Sequence, residues 1–337
     1  MSTLAEKQIA RVKGAVYEVR PLFPKEIYLE LNNTCNHKCF FCSNEKMTRS
    51  NKQMPLRLVE KIMLDAYTAG ARDIGLYATG EPFMYKKLAN VVRKAKDIGY
   101  DYVFITTNGA LANPKKAQPV IDAGLDSVKF SINAGTRESY KKVHKKDDFE
   151  LVIENVRWWN KYVTENFLPL KMYVSMVPTP TTQGEYDNLI SLVGDCLNQE
   201  VDQRQCSNQG GNMLENNDIV EIDERSILGT LKADQYTDIC PDPFNRVVVS
   251  SEGYMTACVV DYQNALIVAD LNNENVKDAW HGEKFRSLRK MHLKKDMKGI
   301  ICHNCMNNCQ DPYEPLDQHY YDPFNKNIEL FSSEKNR

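Results

Sequence analysis

The sequence predicts an α/β protein in which parallel strands are covered by helices, followed by a smaller cysteine-rich unit. Strand and helix patterns alternate from residue 26 to about residue 208. Three cysteines follow the first predicted strand directly, and five more lie between residues 240 and 309. Alternation of this kind is typical of an open parallel sheet or of a full or partial barrel.

The elements of the first unit can be assigned in chain order. Residues 1–25 contain Pro21 and Pro24 and are predicted as an extended lead-in. The predicted strands are Ile27–Leu31, Asp73–Ala78, Tyr102–Thr107, Ser127–Ile132, Leu170–Val177 and Val201–Cys206. Helical apolar stripes between them begin at Leu56, Leu88, Phe149 and Leu189. Gly70 and Gly99 follow the first two stripes, where a left-handed glycine commonly ends a helix.

Polar and glycine-containing turns follow several of the predicted strands. They are residues 78–82 (Ala-Thr-Gly-Glu-Pro), 106–109 (Thr-Thr-Asn-Gly), 131–135 (Ser-Ile-Asn-Ala-Gly) and 204–211 (Arg-Gln-Cys-Ser-Asn-Gln-Gly-Gly). Each alone has the ordinary alternative of a surface turn. Because loops after the strands carry the chemistry in parallel α/β folds, we expect these turns to converge on the first cysteine loop.

A polar, acidic linker is predicted at residues 212–235, and the amino-acid composition of the chain changes after it. Arg246–Cys258 has the pattern of a hairpin, with Ser-Glu-Gly as its turn. Val276–Lys294 is predicted as one helix that leads into Cys302-His-Asn-Cys305-Met-Asn-Asn-Cys309. The predicted division of the chain is a lead-in (1–25), the strand–helix unit (26–211), the linker (212–235), the cysteine-rich unit (236–312) and a tail (313–337).

Composition limits the function classes. The 337 residues favour about two domains. The 42% hydrophobic and 26% charged residues are those of a globular protein, and the net charge of −2 indicates neither a nucleic-acid nor an anionic-membrane partner. The sequence contains neither an apolar run of roughly 18–20 residues nor a signal-peptide pattern. We therefore expect a cytoplasmic protein whose clustered cysteines bind metal instead of forming disulfides.

Cys35, Cys39 and Cys42 are the strongest chemical signal in the chain. Three thiolates on one short loop can hold three corners of a cubic iron–sulfur cluster and leave the fourth iron open to another ligand. The alternatives are a zinc loop or unrelated buried thiols. Zinc sites more commonly pair a CxxC with a second pair elsewhere, and the spacing here differs from that pattern.

These cysteines make the chain similar to radical S-adenosylmethionine (SAM) enzymes. Cys35-x3-Cys39-x2-Cys42, with the aromatic Phe41 before the last cysteine, resembles the cluster motif of that superfamily. The resemblance implies a partial (β/α)6 TIM-like barrel and a [4Fe–4S] cluster whose open iron binds SAM. It also implies an external reductant such as flavodoxin or ferredoxin.

Two further stretches resemble SAM-binding parts of the same superfamily. Thr79-Gly80-Glu81-Pro82 is similar to its GGEP stretch, with Thr79 in place of the first glycine. In the family this backbone and its acidic side chain meet the methionine amino group. Ser131 and Asn133 fall where the family often places polar contacts to the carboxylate and ribose of SAM.

The second cysteine group resembles the SPASM/twitch subfamily, which adds an auxiliary [4Fe–4S] domain. Cys240, Gly253-x4-Cys258 and Cys302-x2-Cys305 match that pattern. Full SPASM domains carry more cysteines than the five found here, so the resemblance implies the twitch form with one auxiliary cluster. Cys240, Cys258, Cys302 and Cys305 are the first choice of ligands, although Cys309 could replace either of the last two. A zinc site is the alternative.

The resemblance implies a 5′-deoxyadenosyl radical that removes a hydrogen atom from substrate. We expect dehydrogenation of a small polar, carbohydrate-like substrate, with the auxiliary cluster accepting an electron. Epimerisation is an alternative, in which Cys206 returns a hydrogen atom. Modification of a ribosomal peptide is another, and the short segment before the first strand counts against it. The non-enzyme alternative is an iron–sulfur electron carrier or a zinc-binding scaffold. Arg204, Asn208 and the Gly210-Gly211 pair are candidate substrate contacts or a tight turn.

Overall fold

A single mixed sheet organises the molecule. The computed structural model describes residues 10–197, 201–203, 206, 208–213, 239–307 and 309–318. Within these ranges the strands are β1 (Glu26–Leu29), β2 (Asp73–Gly75), β3 (Tyr102–Thr107), β4 (Ser127–Ser131), β5 (Lys171–Met176), β6 (Asp202–Gln203), β7 (Val247–Val249), β8 (Tyr254–Thr256) and β9 (Ile267–Asp270). Their order across the sheet is β6-β5-β4-β3-β2-β1-β7-β8-β9. The first six strands pair in parallel, as the alternation predicts.

Helices cover the face of the sheet that carries its aliphatic side chains. They are α1 (Leu56–Ala69), α2 (Leu88–Ile98), α3 (Pro114–Asp122), α4 (Arg137–His144), α5 (Phe149–Glu165), α6 (Tyr186–Val193), α7 (Asp242–Asn245), α8 (Val276–Trp280), α9 (Glu283–Lys294) and α10 (Ile301–Asn307). Ile27 and Leu29 on β1 share one buried cluster with Val59 on α1. The predicted fold class, a partial (β/α)6 barrel followed by a smaller cysteine-rich unit, is confirmed.

The cysteine-rich unit extends the barrel sheet. β7 pairs in parallel with β1, Ile27 opposite Val247, and β8 then pairs antiparallel with β7. The predicted hairpin is therefore confirmed, and its turn is closed by a hydrogen bond from the Ser250 amide to the Tyr254 carbonyl at 2.9 Å. Gly253 adopts φ 91°, a conformation that disfavours any residue with a side chain.

Two sequence predictions about local structure are wrong. Val276–Lys294 forms two helices instead of one, because Gly282 between them is extended (φ −62°, ψ 160°) and begins α9 as its N-cap. Within the predicted extended lead-in, residues 10–13 are helical. Predictions for Arg204, for linker residues 214–235 and for tail residues 319–337 lie outside the described residues.

A buried ion-pair network joins the barrel to the hairpin. The Arg49 guanidinium contacts Glu30 at 3.0 Å and Glu252, in the β7–β8 turn, at 2.6 Å. The Arg49 and Glu30 side chains are each 2% exposed. Glu30 also accepts hydrogen bonds from the amides of Thr79 (3.3 Å) and Ser251 (2.8 Å). One carboxylate therefore holds β1, the turn after β2 and the hairpin in register.

Candidate functional site

The first cysteine loop lies beyond the carboxyl end of β1, against the last turn of α4. The Lys38 and Phe40 amides donate to the carbonyls of His144 (3.2 Å) and Val143 (3.1 Å). These carbonyls at a helix end lack intrahelical partners, so the loop satisfies them. The loop thereby presents Cys35, Cys39 and Cys42 at the carboxyl end of the parallel strands.

The three thiols form one electrostatically coupled group. Burial raises the pKa of Cys35 to about 12. Burial, with repulsion from Cys42 and Cys35, raises the pKa of Cys39 well above its usual range. Such thiols are poor free nucleophiles, and their thiolates need the positive charge of a metal. This donor set therefore fits an iron–sulfur cluster.

His144 is a site residue that the sequence reasoning missed. The basic run from Lys141 to Lys146 has the pattern of a solvated helix start, but α4 ends within it and the His144 ring is 1% exposed. Its Nδ1 lies 3.1 Å from Cys39 Sγ and 3.3 Å from His37 Nδ1, while its Nε2 donates to the Ile132 carbonyl at 2.7 Å. The i, i+3, i+4 spacing of Tyr140, Val143 and His144 is the signal that could have identified it.

The turn after β2 packs tightly against the chain leaving β1. A Cβ atom at Gly80 would lie 2.2 Å from the Asn32 carbonyl oxygen, so only glycine fits there. The Glu81 amide donates to the Thr34 carbonyl at 2.8 Å, and Asn32 Nδ2 donates to the Glu81 carbonyl at 3.0 Å. Thr79 remains half-exposed, and Pro82 begins a short 3₁₀ turn.

The Glu81 carboxylate has protein partners. It accepts hydrogen bonds from Thr107 Oγ1 (2.7 Å), the Asn108 amide (2.9 Å) and the Phe83 amide (3.1 Å). Burial raises the pKa of Glu81, against the effect of these hydrogen bonds. Asn108 Nδ2 in turn lies 3.7 Å from Cys35 Sγ. The turns after β1, β2 and β3 therefore converge as the sequence predicts.

Ser131 and Asn133 differ in what their side chains meet. Ser131 Oγ, on β4, lies 3.4 Å from Ser175 Oγ on the neighbouring β5. Asn133 has φ 59°, and its Oδ1 accepts from the Val177 amide at 3.0 Å. The side chain of Asn133 thus stabilises the backbone at the end of β4, whereas Ser131 lies on the face of the sheet that points away from the main core.

That face, opposite the helices, is partly aromatic and partly polar. Tyr28, Phe104 and Val248 form a small buried cluster there, separate from the main core. On β4, Val128 and Phe130 belong to the main core, so the alternating positions Lys129 and Ser131 point to the opposite side. On β5 the same alternation places Tyr173 and Ser175 on this face. Apart from Ser131, sequence reasoning missed these lining residues, although period-2 alternation could have identified them.

The segment after β6 contacts both cysteine groups. Gln209 Nε2 donates to the Phe41 carbonyl (2.7 Å), and its Oε1 accepts from the Ser43 amide (2.9 Å). The adjacent Asn208 Nδ2 lies 3.3 Å from the carbonyls of both Asn304 and Cys305 on α10. Two consecutive residues therefore connect the first cysteine loop to α10, which carries two of the later cysteines.

Cys206 lies beside the first cysteine loop. It is buried with Met213, and Phe40, Phe41 and Val177 pack against them. Burial, with the nearby Cys42 adding to it, raises the pKa of Cys206 to about 12. The predicted placement of this thiol on the same face as the cluster loop agrees with these contacts.

Four of the five later cysteines line one cavity. They are Cys240, Cys258, Cys302 and Cys305. The cavity volume is about 40 Å³, whereas a single water needs about 10–15 Å³. Burial is the main cause that raises the pKa of each of these thiols. Four such thiols around one cavity fit a metal cluster with a complete set of protein ligands.

Cys309 has different neighbours. It does not line the cavity, and its Sγ lies 3.4 Å from Asn304 Oδ1. His303 and Asp311 are its other close polar neighbours, with ligand atoms of the three residues within 4.8 Å of one another. The sequence left the choice among five cysteines open, and this geometry favours the first choice made there.

Comparison with known proteins places the first cysteine group and four of the five later cysteines in matched regions, with Cys309 just outside. The family model of the radical SAM superfamily matches residues 29–192. That of SPASM, described as an iron–sulfur cluster-binding domain, matches residues 240–306. No helix within the described ranges is long and apolar enough to cross a membrane.

The similar curated proteins share only part of their length with this chain. "Probable GTP 3′,8-cyclase" of Saccharolobus solfataricus is 35% identical over 142 residues, 41% of this chain and 44% of the relative. The protein of the same name from Sulfurisphaera tokodaii is 27% identical over 168 residues, 50% of this chain and 51% of the relative. The chain thus spans about half the length of the curated relatives it matches.

Solved structures share the fold at low sequence identity. BtrN in complex with AdoMet and 2-DOIA has a TM-score of 0.53 and 21% identity, covering 80% of this chain and 86% of BtrN. Streptococcus suis SuiB bound to the precursor peptide SuiA has a TM-score of 0.61 and 16% identity, and the match covers 85% of this chain and 70% of SuiB. anSMEcpe with bound AdoMet has a TM-score of 0.59 and 13% identity, and the match covers 93% of this chain and 100% of anSMEcpe.

Proposed function

We propose that this chain, which belongs to the radical SAM superfamily and carries a SPASM domain, dehydrogenates a small polar, carbohydrate-like substrate. Both family models match it. It is a radical SAM enzyme, so a non-catalytic carrier or zinc scaffold is not retained. Its cofactors are SAM, a [4Fe–4S] cluster and a second cluster in the SPASM domain. The reaction class, the substrate class and the site residues are the proposal.

The residues that hold these groups are proposed from the geometry. Cys35, Cys39 and Cys42 ligate the first cluster, with Phe41 beside it. The backbone of residues 79–82 approaches SAM, because the Glu81 carboxylate is already bonded to the turn after β3. Ser131 contributes a hydroxyl to SAM, and Asn133 holds the end of β4 in place.

One observation favours oxidation most. The second site is a cavity lined by four thiols, joined to the first loop through Asn208 and Gln209. A cluster with four protein ligands has no open iron for substrate, but it can exchange electrons. When bound, SAM and the first cluster would supply a radical that removes a hydrogen atom from carbon, and the second cluster would supply an acceptor for the electron that leaves as the substrate releases its hydroxyl proton to solvent.

The residues on the face of the sheet opposite the helices support a small polar substrate. Ser131 and Ser175 offer hydroxyl groups, and Lys129 and Tyr173 lie on the same face. The aromatic cluster around Tyr28 and Phe104 provides an apolar wall. Convergent polar groups with aromatic walls are typical of small-molecule sites. We propose a flavodoxin- or ferredoxin-type protein as the reductant.

Epimerisation is the second candidate, favoured by the position of Cys206. Its thiol is buried beside Phe41, on the side of the sheet where the cluster loop lies. A thiol there can return a hydrogen atom to a substrate radical. Among the similar structures, BtrN is in complex with a small molecule, 2-DOIA, and SuiB is bound to a precursor peptide. Peptide modification is therefore an outcome that the experiment must distinguish.

The choice of ligands for the second cluster can be tested by iron content. We expect Cys309→Ala to keep about eight iron atoms per reconstituted chain, whereas Cys302→Ala should retain about four. The reason is that Cys302 lines the cavity and Cys309 does not. The measurement is iron per chain after anaerobic reconstitution, with parent protein alongside. An equal loss of iron in both variants would contradict the assignment.

The reaction class can be tested by turnover in heavy water. The reconstituted enzyme, SAM and a reductant are supplied anaerobically with a panel of sugars and aminocyclitols and, in separate reactions, with serine- and cysteine-containing peptides and with GTP, the nucleotide in the name of the curated relatives. We expect a small-molecule product that has lost H2, equal 5′-deoxyadenosine, and no solvent deuterium on carbon. Cys206→Ala should retain this activity, as should Cys196→Ala, the matched control outside both clusters.

Other outcomes of that experiment assign other reactions. Deuterium on carbon without net oxidation, lost in Cys206→Ala but kept in Cys196→Ala, would establish epimerisation instead. Turnover of peptides alone would contradict the proposed substrate class. A cyclised nucleotide as the only product would overturn the proposal in favour of the activity named for the curated relatives.

A further inference from the structure

His292 is a buried polar side chain without a protein partner. It lies in α9 and is 1% exposed. Neither its Nδ1 nor its Nε2 has a hydrogen-bond partner among the described residues. Leaving a buried donor or acceptor unsatisfied is unfavourable, so a histidine in this position requires an explanation.

The ring lies where that explanation can be found. His292 lines the same cavity as Cys240, Cys258, Cys302 and Cys305. Phe244, whose ring meets it edge-on at 6.3 Å, is an apolar neighbour that cannot accept a conventional hydrogen bond. The cavity contents are therefore the available partner for its nitrogen atoms.

The other charged groups near the cavity are already bonded. Asp261 also lines it, but its carboxylate accepts from Thr256 Oγ1 (2.6 Å) and from the Ala265 and Leu266 amides (both 2.8 Å). Asp242, which lies close by, is paired with Arg11 and Arg246. Among the described residues that line the cavity, His292 thus differs from Asp261: its two ring nitrogen atoms have no hydrogen-bond partner.

We propose that His292 donates an N–H hydrogen bond to a sulfur atom of the second cluster and thereby raises its reduction potential. In either tautomer the imidazole carries one N–H donor. A donor beside a cluster sulfur stabilises the extra negative charge that arrives with one electron, and no proton has to move. His292 is a positioning residue that makes the cluster a better electron acceptor. The inference depends on a cluster in this cavity, not on the substrate.

The test uses full-length chain with Cys35, Cys39 and Cys42 replaced by alanine, so that only the second cluster assembles. Its midpoint potential is measured by redox titration followed by electron paramagnetic resonance. His292→Phe should keep about four iron atoms and shift the potential to more negative values. His292→Gln, which retains an N–H donor, should lie closer to the parent. His303→Phe is the matched control, since the His303 ring pairs with Asp311, and should cause no shift.

A second measurement keeps the proposal testable if His292→Phe does not assemble its cluster. With ¹⁵N-labelled histidine, pulsed paramagnetic resonance of the reduced parent should show a weak nitrogen coupling that His292→Gln removes. Absence of that coupling, or an unchanged potential in His292→Phe, would overturn the proposal. A strong coupling typical of a ligating nitrogen would overturn it too, in favour of direct ligation. Failure of substrate dehydrogenation would leave these readouts unaffected.

Discussion

Replacing Cys39 with alanine is expected to abolish 5′-deoxyadenosine formation. Cys39 is the middle thiol of the first loop, and its environment couples it electrostatically to both Cys35 and Cys42. Removing one of the three ligands leaves two of the four irons without a protein ligand, and two cysteines do not hold the cluster. Iron should fall from about eight to about four per chain, because the second cluster has its own ligands. Anaerobic incubation with SAM and reductant, followed by chromatography, measures the effect.

The control for this prediction is Cys196→Ala. Cys196 is also half-buried, but it follows α6, packs against the main core and belongs to neither cysteine group. It should keep full iron content and full 5′-deoxyadenosine formation. If Cys39→Ala still cleaved SAM at a rate near that of the parent, the assignment of the first loop would be wrong.

Replacing Arg49 with methionine is expected to lower the free energy of unfolding by about 3–5 kcal/mol. Arg49 is buried between Glu30 and Glu252, and its removal leaves the Glu30 charge buried without its counterion. The Thr79 and Ser251 amides still donate to Glu30 but cannot neutralise it. Anaerobic urea unfolding followed by circular dichroism gives the change as a shift in midpoint.

Two variants separate burial of charge from loss of a side chain. Arg49→Met combined with Glu30→Gln should recover part of the loss, because the uncompensated carboxylate is gone. Lys142→Met removes an exposed partner of Glu138 on α4 and should leave the midpoint nearly unchanged. A midpoint for Arg49→Met equal to that of Lys142→Met would show that the network does not stabilise the fold.

Local spacing explains why a candidate site can be proposed from the sequence. The Cys35-x3-Cys39-x2-Cys42 spacing and the strand before it specify a metal loop at a strand end, without knowledge of any distant residue. The alternation of apolar patterns likewise indicates parallel pairing, and the structure confirms that β1 to β6 are parallel. These features depend on neighbours within a few residues or on the topology that such repeats allow.

Side-chain direction and long-range pairing were not predictable in the same way. The pairing of β7 with β1 joins residues more than half the chain apart, and no local pattern encodes it. The family resemblance implies that the Glu81 side chain contacts SAM. In the structure its carboxylate accepts hydrogen bonds from Thr107 and Asn108. Sequence reasoning missed His144 because it lies in a run of basic residues, a pattern that indicates a solvent-exposed helix.

The sequence by itself determined the family resemblance, the fold class and the two groups of thiols. Only the tertiary structure decided which four later cysteines share a cavity, and that Asn208 and Gln209 link this cavity to the first loop. It also revealed that the His292 ring lies at that cavity without a hydrogen-bond partner among the described residues. The physical reason is that spacing specifies local geometry, whereas burial and partners depend on packing between distant segments.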